Sequence, residues 1–342
     1  MNNLAKGGRT PVDVRRLTAF AARHYGQDPG RLRITVQELR GGLCASVMRA
    51  RVRFLDPERR PRTAVFVIKR VAGGDIRELG AYRSLAGSPC ARIAPQLLGA
   101  EQTRSGCVNL YLEYIPSFHP WPWADVKASE LVLKRLATVH EALAPEKVPE
   151  WDYDAELQES AGTTLEILEE AALLADFTPV RRFLPSVRRL AAALPALRAQ
   201  LVNRRWPRVA LHGDAHTGNA IIRRQGRSHS AVLLDWSRIR LGSALEDVCS
   251  WLQSISFWEP EPKRRHDTLF RKYLTSRGMP DELTPELREL YWLAGASNAF
   301  AGALRYHVVR MGSAATRAER TMASAAVRDW LRILARADAC WS

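Results

Sequence analysis

Residues 211–222 read LHGDAHTGNAII. His212-Gly213-Asp214 sits between apolar, strand-like residues, and Asn219 follows five residues after the aspartate. A second acid, Asp235, lies in LLDWS (233–237) after another apolar run. An acid, an amide and a second acid on neighbouring loops suit metal-assisted phosphoryl transfer. Asp214 would accept the proton of an attacking hydroxyl. Asn219 and Asp235 offer oxygen atoms to Mg²⁺, a hard cation that prefers oxygen. The plain alternative is a tight turn at Gly213 and a helix cap at Asp235. The spacing and the flanking strands argue against it.

Working outward, the first ~115 residues alternate like strands at 31–40, 47–55, 63–69, 96–101 and 108–114. Residues 11–25 and 75–86 have helical spacing, with Pro11 suited to a helix start and Asp75 to an N-cap. This predicts a small antiparallel sheet with a helix packed on it. The segment 116–124 (PSFHPWPWA) is too rich in proline for regular structure. Beyond it, helical patterns cover 125–143, 153–176, 179–202, 245–256, 262–277, 284–309 and 313–338, interrupted by a strand-loop-strand unit at 209–235. The expected organisation is an α+β chain of two lobes: 1–115, a linker at 116–124, and a larger, mainly helical 125–342. A cleft between two lobes is a common ligand site.

The chain has 342 residues and a formal net charge of +15. Its 46% apolar fraction excludes a disordered chain, and no apolar run approaches the length of a membrane span. Residues 1–115 hold 20 Lys+Arg against 9 Asp+Glu, whereas 125–176 hold 13 acidic and 4 basic residues. That split suggests an anionic cofactor near the first part and a cationic ligand near the acidic block, with solvated helix faces as the plain alternative. No nucleic-acid motif accompanies the basic residues, so nucleic acid is not an expected partner. Residues 1–10 lack an apolar signal segment, and the five cysteines are scattered without a Cys-x-x-Cys pair. Both features suggest reduced thiols in a cytoplasm.

The stretch 211–222 resembles the catalytic loop of the aminoglycoside phosphotransferase family, small-molecule kinases with a protein-kinase-like fold. Residues 235–247 (DWSRIRLGSALED) resemble its metal-binding aspartate and following Gly-x-x-x-x-Asp element, and 131–140 (LVLKRLATVH) its helix ending in Leu-x-x-Leu-His, with Val139 at the last apolar position. Residues 40–49 (RGGLCASVMR), 65–69 (VFVIK) and 78–85 (ELGAYRSL) resemble the glycine loop, the lysine strand and the helix with the partner glutamate. The resemblance runs from about 40 to 250 in consistent order.

It implies a fold and a set of roles. The fold is a small antiparallel lobe with a helix, joined to a larger helical lobe. ATP or GTP with Mg²⁺ is the implied cofactor. Gly41 and Gly42 let the backbone approach its phosphates, and Ser46 adds a hydroxyl. Lys69, at the end of an apolar strand, needs an anionic partner; Glu78 is the implied one, with Glu101 and Glu38 as alternatives. The backbone of Glu113, Tyr114 and Ile115 would meet the adenine edge, with Val47, Ile68 and Ile221 as apolar walls. Asp214 is the implied base, and Asn219 and Asp235 the metal ligands. His212, His216 and Asp247 support the loop, and His140 is a core histidine.

The acceptor would be a small molecule with a hydroxyl: an aminoglycoside-like, amino-alcohol, sugar or macrolide compound. Asp152, Asp154, Glu156 and Glu159, with Trp121, Trp123 and Trp151, suggest a cationic one; a neutral acceptor remains the alternative. The competing functions are a catalytically silent nucleotide-binding regulator and a basic nucleic-acid-binding protein. No protein partner is inferred.

Overall fold

The computed structural model describes residues 13–39, 46–103, 105–116, 123, 125–174, 178–258 and 263–341. The expected glycine loop at Gly41 and Gly42, Trp121 and most of the linker lie outside the described residues. Strands β1 (Arg33–Glu38), β2 (Ser46–Leu55), β3 (Pro61–Val71), β4 (Leu97–Gln102) and β5 (Val108–Glu113) form an antiparallel sheet ordered β1-β2-β3-β5-β4.

Strand alternation gives this sheet two different faces. Met48, Ala50, Val52, Phe66, Ile68 and Tyr111 pack on one face against helix α1 (Val14–Tyr25), where Phe20 stacks on Tyr111 at 3.8 Å. Val71, Leu110 and Leu112 lie on the other, in a continuous core with helix α2 (Arg77–Ala86) and the rest of the chain. The sheet is therefore covered by a helix on each face, where the sequence suggested one. Asp13 caps α1, its carboxylate accepting the amides of Arg15 and Arg16, and Pro11 lies outside the described residues. Asp75 does not cap α2; it lies in a 3₁₀ turn, Gly73–Ile76, that leads into the helix.

The second part holds helices α3 (Val126–Ala142), α4 (Tyr153–Ala172) and α5 (Thr178–Leu201). Four short strands follow: β6 (Arg208–Leu211), β7 (Ala220–Gln225), β8 (Ser228–Leu233) and β9 (Arg240–Ser243). They pair as two ribbons, β6 with β9 and β7 with β8, rather than as one strand-loop-strand unit. This pairing places the loop 212–219 beside the loop 234–239.

Helices α6 (Ala244–Trp258), α7 (Lys263–Ser276), α8 (Pro285–Asn298), α9 (Leu304–Gly312) and α10 (Arg317–Trp341) complete the chain. The single helix expected over 284–309 is broken by a π turn at Ala299–Ala303, where Gly302 takes φ 128°. The Ser160 hydroxyl donates to the Phe300 carbonyl there, at 2.7 Å. No helix of the described residues is long and apolar enough to cross a membrane.

Candidate active site

The loop between β6 and β7 is fixed before any ligand arrives. His212 and Gly213 donate their backbone N–H groups to the two carboxylate oxygens of Asp247, at 2.7 and 2.9 Å. A carboxylate only accepts, so His140 donates Nε2–H to Asp247 (3.1 Å) and accepts at Nδ1 from the Tyr273 hydroxyl (2.7 Å). The His212 ring donates Nε2–H to the Leu234 carbonyl at 2.8 Å and accepts the Asp214 amide at Nδ1, at 3.3 Å. Gly213 has φ +83°, and a Cβ there would stand 2.0 Å from the Arg238 carbonyl oxygen, so only glycine fits. Buried Arg240 closes the loop by donating to the Gly213 carbonyl at 2.9 Å. Burial lowers the basicity of both His140 and His212, which act as neutral braces.

This frame presents Asp214 half-exposed at its surface. Asn219 donates its amide to the carbonyl and to Oδ2 of Asp214, both at 3.0 Å, so only its amide oxygen could serve a cation. His216 accepts the Gly218 amide at Nδ1 (3.0 Å) and holds Nε2 3.5 Å from Asp214. Burial would raise the Asp214 pKa, but His216 first and Arg238 with it outweigh burial and hold the carboxyl well below the usual range. Asp214 is thus an anion at neutral pH. It is a strong acceptor for a hydroxyl hydrogen and a weak base. That suits a loose phosphoryl-transfer transition state, in which the hydroxyl gives up its proton only as the new bond forms.

Across the cleft, Lys69 Nζ lies 2.9 and 2.8 Å from the carboxylate oxygens of Glu78 and 2.7 Å from Asp235 Oδ1. Glu78 also accepts the Trp236 amide at 3.1 Å, and the Ser237 hydroxyl donates to Asp235 at 2.8 Å. Burial would weaken the Lys69 ammonium, but the two carboxylates outweigh it and raise its pKa. Burial pushes Glu78 up to about 7 despite Lys69. Asp235 is held low by Lys69 against its own burial. Asp235 takes φ 58°, an uncommon conformation for a residue with a side chain and one that clusters at functional sites. The two halves meet at Leu234, whose amide donates to the Asn219 carbonyl at 2.8 Å.

Asn219 and Asp235 pass a simple test as cation ligands. Both supply hard oxygen atoms on adjoining loops, and two protein oxygens suit Mg²⁺, which takes its remaining ligands from water and substrate phosphates. Among the described residues no cluster of three His, Cys, Asp or Glu side chains could hold a metal without such help.

The nucleotide-side expectations divide by strand register. Val47 is the cross-strand partner of Lys69, and both lie on the cleft face. Ile68 was expected as an adenine wall, yet it points to the opposite face and is buried beneath α1. Val67, two residues from Lys69 and partly buried, is the apolar neighbour that shares the Lys69 face. Ser46 pairs with Arg70 and falls by alternation on the α1 face, away from Lys69. Ile221 is half-buried on β7 opposite Val232. The Glu113 amide is already spent on the Gln96 carbonyl (2.9 Å), and its carboxylate accepts from Arg223 at 2.9 Å. Its carbonyl and the backbone of Tyr114 and Ile115 are what the linker can offer to a base.

The acidic segment behaves differently from the expectation of a cation site. Glu156 is paired with Arg77 and with Arg238, and Asp154 with Arg198. Asp152 caps α4, and Glu159 is exposed. Trp123 is buried edge-on against Trp251, and Trp151 already carries the Arg77 guanidinium 3.5 Å from its ring centre. The cations that Glu156, Asp154 and Trp151 hold are the protein's own. Arg77, Arg240, Tyr273 and Ser237 are the site-supporting residues that sequence reasoning missed. Arg77 had one available signal, its place next to Glu78.

The profile of the phosphotransferase enzyme family (APH) matches residues 69–290, well over half of the chain. No curated protein matches it. Among solved structures, a putative aminoglycoside phosphotransferase from Ralstonia eutropha JMP134 superposes with a TM-score of 0.62 at 14% identity, over 95% of this chain and 98% of that one. A choline/ethanolamine kinase family protein from Mesorhizobium loti gives 0.60 at 16% identity, over 96% and 98%. A thermostable mutant of an aminoglycoside phosphotransferase, in ternary complex with ADP and hygromycin B, gives 0.53 at 14%, over 93% and 98%. At such identities the likeness is one of fold, here the two-lobed kinase-like fold. With the family profile running from Lys69 through the loop of Asp214 and Asp235, the chain belongs to the phosphotransferase enzyme family and is a small-molecule phosphotransferase.

Proposed function

We propose that this protein transfers the γ-phosphate of ATP or GTP, with Mg²⁺, to a hydroxyl of a small molecule. The observation that carries the reading is the pairing of Lys69 with both Glu78 and Asp235, at 2.7–2.9 Å, beside the Asp214–Asn219 pair at 3.0 Å. The nucleotide with its Mg²⁺ supplies the phosphoryl group and neutralises its charge. In this reading Lys69 binds the phosphates, Glu78 orients Lys69, and Asn219 and Asp235 hold the metal. Asp214 orients the acceptor hydroxyl and takes its proton.

The arginine pairing of Glu156 and Asp154 favours a neutral, hydroxyl-rich acceptor over a cationic one. Residues 1–115 would serve as the nucleotide-binding lobe, 116–124 as the linker and 125–342 as the catalytic lobe. A cytoplasmic location goes with this reading, since Cys90, Cys107, Cys249 and Cys340 are all free thiols.

The deciding variant is Asp214→Asn, which keeps the side chain's shape and removes its charge. Mg-nucleotide affinity by calorimetry should stay near wild type, while transfer to hydroxylated acceptors falls at least roughly a hundredfold. Undiminished transfer would remove Asp214 from the mechanism. A wild-type protein that binds Mg-nucleotide yet phosphorylates nothing in a broad acceptor screen would instead be a silent regulator.

A further inference from the structure

The sheet lobe carries arginines beyond those that the proposed nucleotide site uses. Strand alternation sorts them. Arg49, Arg51 and Arg53 all fall on one face of β2, and Arg33 of β1 stands directly across from Arg53. Along a strand, alternate residues stand roughly 7 Å apart, so the row is regular. Like charges directly opposite each other destabilise a sheet, so the Arg33–Arg53 pairing is one that folding alone does not favour.

The row is also uncompensated. Among the described residues no carboxylate pairs with Arg33, Arg51 or Arg53, and all three are exposed. The acids of the β2–β3 turn, Asp56 and Glu58, are paired with Arg62 (2.9 Å) and Arg60 (3.6 Å). Residues 1–12, 40–45 and 117–124 contain no acid at all. Thr35 and Val65 flank Arg51 across the two neighbouring strands, and Thr63 flanks Arg53. The charge is therefore a file along β2 with neutral residues on both sides of Arg51, doubled at its far end by Arg33 beside Arg53. Arg49, 5.7 Å over the Tyr114 ring, ends the file toward the cleft.

We propose that this face of β1 and β2 is a docking track for one strand of nucleic acid. A line of guanidinium groups at a regular repeat matches a line of phosphates, and arginine binds phosphate through its fork of donors. A lipid surface would call for a broad basic field with apolar residues to insert. Here the margins are threonine and valine, and Leu55 is the one large exposed apolar side chain on this face among the described residues. The track lies on the Lys69 face of the sheet but beyond Val47 along β2, and none of its arginines is given a part in phosphoryl transfer, so the inference is tested apart from the proposed kinase chemistry.

The test is fluorescence anisotropy of a labelled oligouridylate against the full chain, saturated with Mg-ADP to occupy the nucleotide cleft, across a salt series. Three phosphate contacts predict a log–log salt slope of about −2. The double variant Arg51→Gln/Arg53→Gln should weaken binding at least tenfold at low salt and flatten the slope to about −0.7. Its Mg-nucleotide affinity should stay unchanged. A melting temperature at or above wild type would show that the loss is not unfolding, because the substitution relieves the Arg33–Arg53 repulsion. Absence of wild-type binding, or equal binding by the variant, overturns the proposal. So does a wild-type chain that ignores the oligonucleotide but binds phosphatidylserine vesicles through these arginines, which would make the face a membrane contact.

Discussion

The two halves of the active site are held by different physics. The Asp214 loop is fixed by hydrogen bonds among neutral or singly charged partners within one lobe: Asp247 to two backbone amides, His140 to Asp247, Arg240 to Gly213. The Lys69 half is fixed by ion pairs that cross from the sheet to the helical lobe, Lys69 to Asp235 and Arg77 to Glu156. The first arrangement is rigid and local. The second depends on charge state and on how the lobes sit. Three perturbations separate them.

The largest effect belongs to the local network. Asp247→Ala orphans two buried backbone amides and one ring of His140, each at about 1–3 kcal/mol. The variant should lose several kcal/mol in chemical denaturation and all transfer activity. A near-wild-type denaturation midpoint would show that water replaces the carboxylate and that the loop is less rigid than its bonds imply.

The interlobe half should respond more gently. The Arg77 guanidinium donates Nε–H to the Ser237 carbonyl at 2.8 Å while lying on Trp151, so it seats the start of α2 against the Asp235 segment. Arg77→Ala should lower kcat/KM for nucleotide by roughly tenfold, about 1.4 kcal/mol, with little change in global stability. Arg77→Lys should not restore it, because an ammonium neither stacks nor reaches in two directions. Full activity in both variants would leave Lys69 and Glu78 sufficient to seat the helix.

The smallest effect is in pH, where the halves have opposite signs. His140 and His212 are less basic in the fold than in the unfolded chain, and burial with Arg310 nearby takes His307 down to about 4. The stabilisation from all three is present above about pH 6.5 and is lost as pH falls below it, for His307 through about 4. Glu78, pushed up by burial to about 7 from 4.5, behaves the other way. It takes up a proton in the fold first, so its contribution grows as pH falls from 7 to 4.5 and is lost as pH rises through 7. Glu78→Gln removes that compensation. Thermal melts of the variant should therefore drop more steeply between pH 7 and 4.5 than those of the wild type. Parallel curves would mean that Glu78 titrates as an ordinary carboxyl.

Much of this site was legible because its chemistry is local in sequence. The five-residue spacing from Asp214 to Asn219 fixes a turn whose geometry needs both, and Lys69 at the end of an apolar strand demanded a partner that Glu78 supplies. Ile68 was misread because motif matching ignores which face a strand residue takes; its neighbour Val67 shares the face of Lys69. The arginine partners of the acidic stretch around Glu156 were not legible because they are distant in sequence. Arg77, Arg198 and Arg238 come from three other segments, and only the fold brings them to it. The break at Ala299–Ala303 escaped notice because its residues are good helix formers, apart from Gly302.

One main-chain contact has a mechanical consequence. The Ile93 carbonyl, just before β4, accepts the Leu233 amide of β8 at 2.7 Å, and Glu113 grips Arg223 of β7 nearby. The β7–β8 ribbon is thus riveted to the sheet lobe on its rear side, while its leading ends carry Asn219 and run into Asp235. The ribbon that carries Asn219 and leads into Asp235 is thereby tied to the sheet lobe as well as to its own, and it bears part of any load between the two.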